Sequence, residues 1–218
     1  MLPQELRFLL GEVQRRQALE PPQPKATITD WLEFNGLKKD SVIRELNLIK
    51  PTKKISDVCI KNSENLGLSA DEAWATCALA MRTFFPQLGE QISGVETKAP
   101  KCLQPKHKKY PRPFSYDLGS NNYPFVSLHY HDLASNLLQM AHEFGHAVQI
   151  VASRPHEKQM PPVARELCAF LAEIALMKFT KDRFHRLPDI YYSNSFTYFG
   201  ADKRVLSRKL MIYEMPQV

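Results

Sequence analysis

The run Met140-Ala-His-Glu-Phe-Gly-His-Ala-Val148 constrains this chain more than any other segment. Residues four apart on an α-helix lie one above the other, so His142 and His146 can present two imidazole nitrogens to a single cation. The surrounding apolar positions Leu133, Leu137, Met140, Phe144 and Val148 recur at the spacing of a helix with one buried face, which is the conformation this requires. Glu143, one residue round from His142, can point beside a cation instead of onto it. Gly145 has no side chain and would let a neighbouring element pack closely. The remaining requirement is a third protein ligand.

No third histidine follows at the spacing of a longer His-Glu-x-x-His-x-x-Gly-x-x-His pattern, because position 152 is Ala. The third ligand is then expected to be a carboxylate. Pro161-Pro162 opens a second apolar-periodic segment through Val163, Leu167, Phe170, Ile174 and Met177, and it carries Glu166 and Glu173. The two are seven residues apart, which returns nearly to the same helix face, so both can look towards one site from different heights. Glu166 alone also suits a charge near a helix N-terminus, whereas Glu173, flanked by Leu171 and Ile174, is out of place on a purely solvated stripe. The expected chemistry is one Zn2+ ion on two histidines and a glutamate, with Glu143 taking a proton from an activated water and delivering it to a leaving amine. The bland reading is a pair of half-buried helix histidines beside a solvated glutamate.

Upstream, Leu6, Leu9, Leu10 and Val13 suit a first helix, broken by Pro21-Pro22-Gln23-Pro24, so residues 1–25 read as an appendage and 26–218 as a single domain with its metal core at 124–180. A helix from Thr29 ends at Asn35-Gly36, and another runs from Asp40 to before Pro51. Ser69 followed by Glu72 is a capping box, predicting a core helix through Trp74, Leu79, Met81 and Phe85 that Pro86 kinks or restarts towards Ile92. Residues 100–122, rich in Pro, Lys, Ser and Asn, read as a long loop. Pro124 to Tyr130 alternates as a strand, and its leading proline suits an edge position able to accept an extended peptide. Asp132 is the expected N-cap of the histidine helix. The fold class is therefore mainly α with a small β element, an edge strand preceding the metal-binding helix.

Composition narrows the partners. With 44% hydrophobic and 24% charged residues, the 218-residue chain is an ordinary globular sequence. Its net charge of +6 is scattered, the densest cluster lies at Lys101 to Arg112, and no nucleic-acid motif accompanies it, so that cluster reads as a solvated loop. No eighteen apolar residues run together, excluding a membrane-spanning helix. The segment Met1 to Val13 mixes charged and apolar residues, unlike a signal peptide. Cys59, Cys77, Cys102 and Cys168 show no paired spacing and read as reduced thiols. A cytoplasmic location, or export without a Sec-type signal, is expected.

The strand Pro124 to Tyr130, the run Asn136 to Ala147, the helix from Ser69 to Gln91 and the two glutamates seven apart together resemble the thimet oligopeptidase and oligoendopeptidase F family of gluzincin zinc metallopeptidases, over residues 66–215. The resemblance implies a zincin-like fold, Glu166 as the third zinc ligand, Glu173 in a supporting role, and a peptide or protein segment as substrate. It also implies transition-state donors from a downstream Tyr-rich segment, where Tyr191, Tyr192 and Tyr198 stand. The short stretch after Glu166 implies a compact enzyme with a more open cleft. Two other roles fit the same sequence: a catalytically degenerate peptide-binding or regulatory module, and a leaderless secreted effector protease.

Overall fold

The computed structural model describes residues 30, 32–33, 36–48, 65–107, 109–154, 160 and 162–184. The appendage expected at 1–25 and the tyrosines Tyr191, Tyr192 and Tyr198 lie outside these residues. The chain divides into two compact units, one containing 61–188 and the other 22–60. In the second unit, Gly36 adopts φ +64 and its N–H bonds to the Glu33 carbonyl, the left-handed turn that ends a helix, and helix α1 (Lys39–Leu48) follows.

The first unit begins at the capping box. Ser69 Oγ accepts from the Glu72 N–H at 3.3 Å, and the Glu72 carboxylate accepts from the Ser69 N–H at 2.8 Å, opening helix α2 (Ala70–Phe84). Pro86 stops it and starts a single 3-10 turn at Pro86–Leu88, after which α3 (Gly89–Lys98) continues. The inner face of α2 is made of small residues, Ala73, Cys77, Ala78 and Ala80, with Trp74 and Met81. Trp74 sends its indole N–H to the Glu96 carbonyl on α3 and meets Phe144 edge-on at 4.7 Å. Leu79, expected in the core, is instead 48% exposed, because it falls on the opposite side of α2 from Trp74 and Ala78.

Three short strands follow: β1 (Lys101–Cys102), β2 (Phe114–Tyr116) and β3 (Phe125–Ser127), in the order β1-β3-β2. The expected edge strand is thus the central one. Phe125–Ser127 pairs in parallel with β1 and antiparallel with β2, and all three of its residues are buried. Pro124 precedes the ladder instead of sitting in it, so its missing N–H costs no bond. The flanking strands fall within the stretch read as a loop. Two or three residues are too few to show a period-two pattern, and prolines bracket them.

Lys109 corrects the reading of the basic cluster as wholly solvated. It is 6% exposed, and its ammonium donates to the carbonyls of Cys102, Gln104 and Leu128, gathering the loop around the end of the sheet.

Helix α4 (Ala134–Ser153) carries the histidines, and α5 (Pro162–Phe179) packs along it. Asp132 does not cap α4, whose N-cap position is Leu133. With φ +60, Asp132 turns its carboxylate back to accept the N–H groups of Gly67 at 3.1 Å and Leu68 at 2.9 Å. It thereby ties the entrance of α2 to the entrance of α4. The two helices approach closely at Gly145, where a Cβ would stand 2.8 Å from the Ala172 Cβ and 3.0 Å from the Ala169 Cα. Ala169, Ala172 and Ala175 form the matching small face of α5. Among the described residues, no helix is long and apolar enough to cross a membrane. Cys77, Cys102 and Cys168 are free thiols.

Candidate metal centre

The close contact at Gly145 brings the glutamates of α5 against the histidines of α4. His142 Nε2 and His146 Nε2 lie 3.1 Å apart. The Glu166 carboxylate spans both, with Oε2 at 3.4 Å from His142 Nε2 and Oε1 at 3.6 Å from His146 Nε2. One ligand atom from each of the three residues can be chosen so that all lie within 4.8 Å of one another. A tetrahedral ion with ligand bonds of about 2.0–2.2 Å has ligand atoms about 3.3–3.6 Å apart. The two Glu166 separations, one from each carboxylate oxygen, fall in this range and the His142–His146 separation is just shorter, so His142, His146 and Glu166 form a group that could hold a metal ion.

Glu173 occupies a different place. Its Oε1 is 2.6 Å from His142 Nδ1, on the far side of the ring from the cluster, and the residue is 9% exposed. Its sequence neighbour Leu171 is exposed while Glu173 is buried, so the apolar flank does not explain its burial. The contact that buries Glu173 is made to another helix, which sequence periodicity does not report. Phe170 packs edge-on against the His142 ring from the same helix at 5.6 Å.

Glu143 is 6% exposed and points to the sheet side of the site. Ser115 on β2 approaches it with Oγ 2.8 Å from Glu143 Oε2 and 2.9 Å from the Glu143 carbonyl oxygen. Ser115 is the residue that sequence reasoning missed. It lies in the presumed loop, and no local pattern links it to a helix so far along the chain.

The site's protonation follows from burial and charge. Burial opposes the His142 cation, but the hydrogen bonds it donates to Glu166 and Glu173 outweigh it and raise the ring to about 10. Burial, reinforced by the neighbouring His142 charge, pushes His146 down to about 4. The Glu166 carboxyl is lowered, chiefly by its bond to His142. Burial raises the Glu143 carboxyl, against the Ser115 hydrogen bond and the His142 charge. Two histidines side by side, one charged and one neutral, share a single proton's worth of charge that a metal ion would replace.

No protein-family model matches this sequence, and no curated protein matches it. Among solved structures, the fold is similar to the crystal structure of a "putative peptidase" from Chlamydophila abortus, with a TM-score of 0.52 and 19% sequence identity. The likeness covers 78% of this chain and 32% of that one, so this chain spans about a third of that protein's length. At this identity the likeness is one of fold: mainly helical, with a small three-stranded sheet.

Proposed function

We propose that this protein is a zinc-dependent peptidase of the gluzincin type, with a zincin-like fold related to the thimet oligopeptidase and oligoendopeptidase F enzymes. The observation that carries this reading is the division of labour among three glutamates around two histidines. Glu166 faces the ligand nitrogens of both rings, Glu173 takes the outer nitrogen of His142, and Glu143 stands aside, buried and held by Ser115. A carboxylate behind a ligand histidine fixes its tautomer and orientation, which is the usual support of a metal-bound imidazole. The similarity in fold to the "putative peptidase" of Chlamydophila abortus agrees with this reading.

His142, His146 and Glu166 would hold the zinc ion, which would supply Lewis acidity, lowering the pKa of a bound water from about 15.7 towards about 7. The protein's own part is proton handling and substrate placement. Glu143 accepts the proton of the attacking water and returns it to the leaving amine. Its raised pKa makes the carboxylate the stronger base for taking that proton.

The substrate rail moves from β3 to β2. The Val126 and Leu128 N–H groups donate to Pro100 and Cys102 carbonyls on the β1 side, so Phe125 and Ser127 pair with Tyr116 and Phe114 on the other. Ser115, opposite Val126, then turns its backbone N–H and C=O away from β3. Among the described residues no strand takes that edge. An extended peptide pairing there passes beside Glu143.

The test is cleavage of quenched peptide libraries by protein loaded with zinc, by protein stripped with chelator, and by Glu143→Gln. Activity should need both the metal and Glu143. Cleavage that survives chelation and the substitution sinks the reading.

A further inference from the structure

We propose that Ser115 is a positioning residue for Glu143, and that β2 couples the docking of an extended peptide to the alignment of the catalytic carboxylate. The inference rests on the peptidase reading above and adds a residue to it.

Side chains of successive strand residues point to opposite faces, so pairing Phe114, Ser115 and Tyr116 with Ser127, Val126 and Phe125 fixes which face of the sheet Ser115 presents. That face is the one against α4, as its two contacts to Glu143 show. A one-residue slip would carry the hydroxyl to the other face. The position of Ser115 is therefore set by the ladder, and its backbone edge and its hydroxyl belong to one rigid unit.

Two acceptors stand within reach of a single hydroxyl. Ser115 Oγ is 2.8 Å from Glu143 Oε2 and 2.9 Å from the Glu143 carbonyl oxygen. A serine hydroxyl has one proton to donate and lone pairs to accept with. When Glu143 is a carboxylate, the hydroxyl donates to Oε2. When Glu143 carries the proton taken from water, the carboxylic acid donates to Oγ, and the hydroxyl turns to donate to the carbonyl oxygen. No proton leaves Ser115 in either arrangement, so the water's proton remains on Glu143 for transfer to the amine. The hydroxyl holds the carboxyl in one orientation through both halves of the cycle. On a residue only 6% exposed, the carboxyl has little water to perform this service.

The consequence for substrate is geometric. A peptide that pairs with the Ser115 N–H and C=O is registered against the same residue that orients Glu143. Displacing β2 would disturb substrate register and base orientation together.

The experiment compares Ser115→Ala and Ser115→Thr with the parent, all zinc-loaded. Thr keeps the hydroxyl and suits a strand. Ala should lower kcat by about 10- to 100-fold, the usual range for a residue acting through another at such a site, with KM and zinc affinity within about twofold. Thr should restore most of kcat. An Ala loss that Thr does not restore, a loss confined to KM, a loss matched by unfolded protein, or no loss would overturn the proposal.

A second arm needs no activity. Infrared spectra of protein labelled with carboxyl-13C glutamate, with Glu143→Gln identifying the band, should show the Glu143 carboxyl stretch shifting in Ser115→Ala and returning in Ser115→Thr. An unmoved band overturns the hydrogen bond itself. A parent without metal-dependent cleavage refutes the peptidase reading while this arm still decides the Ser115 contact.

Discussion

The Glu173 carboxylate lies 2.6 Å from His142 Nδ1, while Glu166, two turns earlier on α5, faces Nε2 of the same ring at 3.4 Å. One imidazole is thus held between two acids with different tasks. The ring cannot rotate to offer its other nitrogen without breaking the contact with Glu173.

That arrangement separates the effects of the two glutamates. On the proposed reading, Glu166→Gln removes a charged ligand, and Glu173→Gln removes only the charge that orients His142. Zinc affinity, read by competition with a chelator of known strength, should fall about 10- to 100-fold for Glu173→Gln. The loss for Glu166→Gln should be larger. The reverse order would make Glu173 the ligand and Glu166 the bystander.

Protonation makes a second difference measurable. With His142 raised to about 10 and His146 pushed down to about 4, metal-free protein near pH 7 should carry a charged His142 and a neutral His146. Metal needs both rings neutral, so binding near pH 7 should release about one proton, supplied by His142. Zinc titrations by calorimetry in two buffers of different ionisation enthalpy give that number directly. Affinity should rise about tenfold per pH unit between pH 7 and 9 once buffer and hydroxide competition are corrected. A binding reaction with no proton release would show that His142 is already neutral.

The sign of the stability effect follows from the same values. The folded His142 sits above its ordinary 6.5, so its contribution is complete below pH 6.5 and is lost as pH rises through about 10. His146 sits below 6.5, so acid costs stability as pH falls from 6.5 through about 4. For these two groups, metal-free protein should be most stable near pH 6.5.

That His142 and His146 share one face of α4, and Glu166 and Glu173 one face of α5, was legible because helical period is a local property, and residues four or seven apart announce their shared face. The capping box at Ser69 was legible for the same reason, since both partners sit within four residues. What escaped was whatever depends on distant pairing. Asp132 looked like a cap for the helix beside it, but its carboxylate instead accepts the N–H groups of Gly67 and Leu68, which stand far earlier in the chain. Ser115 and the centrality of β3 were hidden likewise, because strand order is decided by which short segments meet, not by any pattern within one of them. The tyrosine donors expected at 191, 192 and 198 fall outside the described residues, and their part in catalysis rests on the sequence resemblance alone.

Gly145 is where packing and chemistry are most tightly joined. Replacing it with Ala improves helix propensity by about 1 kcal/mol. Against that gain, the new Cβ would meet the Ala172 Cβ at 2.8 Å, the Ala169 Cα at 3.0 Å and the Cys168 carbonyl at 3.2 Å. Two of the three are backbone atoms, which cannot turn aside as a side chain can, so the strain belongs at the upper end of the roughly 1–3 kcal/mol usual for overpacking. The net result should be a destabilisation of about 1–2 kcal/mol, seen by chemical denaturation of metal-free protein. Relief requires α5 to move away from α4, and that motion draws Glu166 and Glu173 from the histidines together. Zinc affinity should therefore fall along with stability, and Ala172→Gly added to Gly145→Ala should recover part of both by removing the nearest obstacle. A Gly145→Ala protein that gains stability and binds zinc as tightly as the parent would show that the helices are not held at this distance by Gly145.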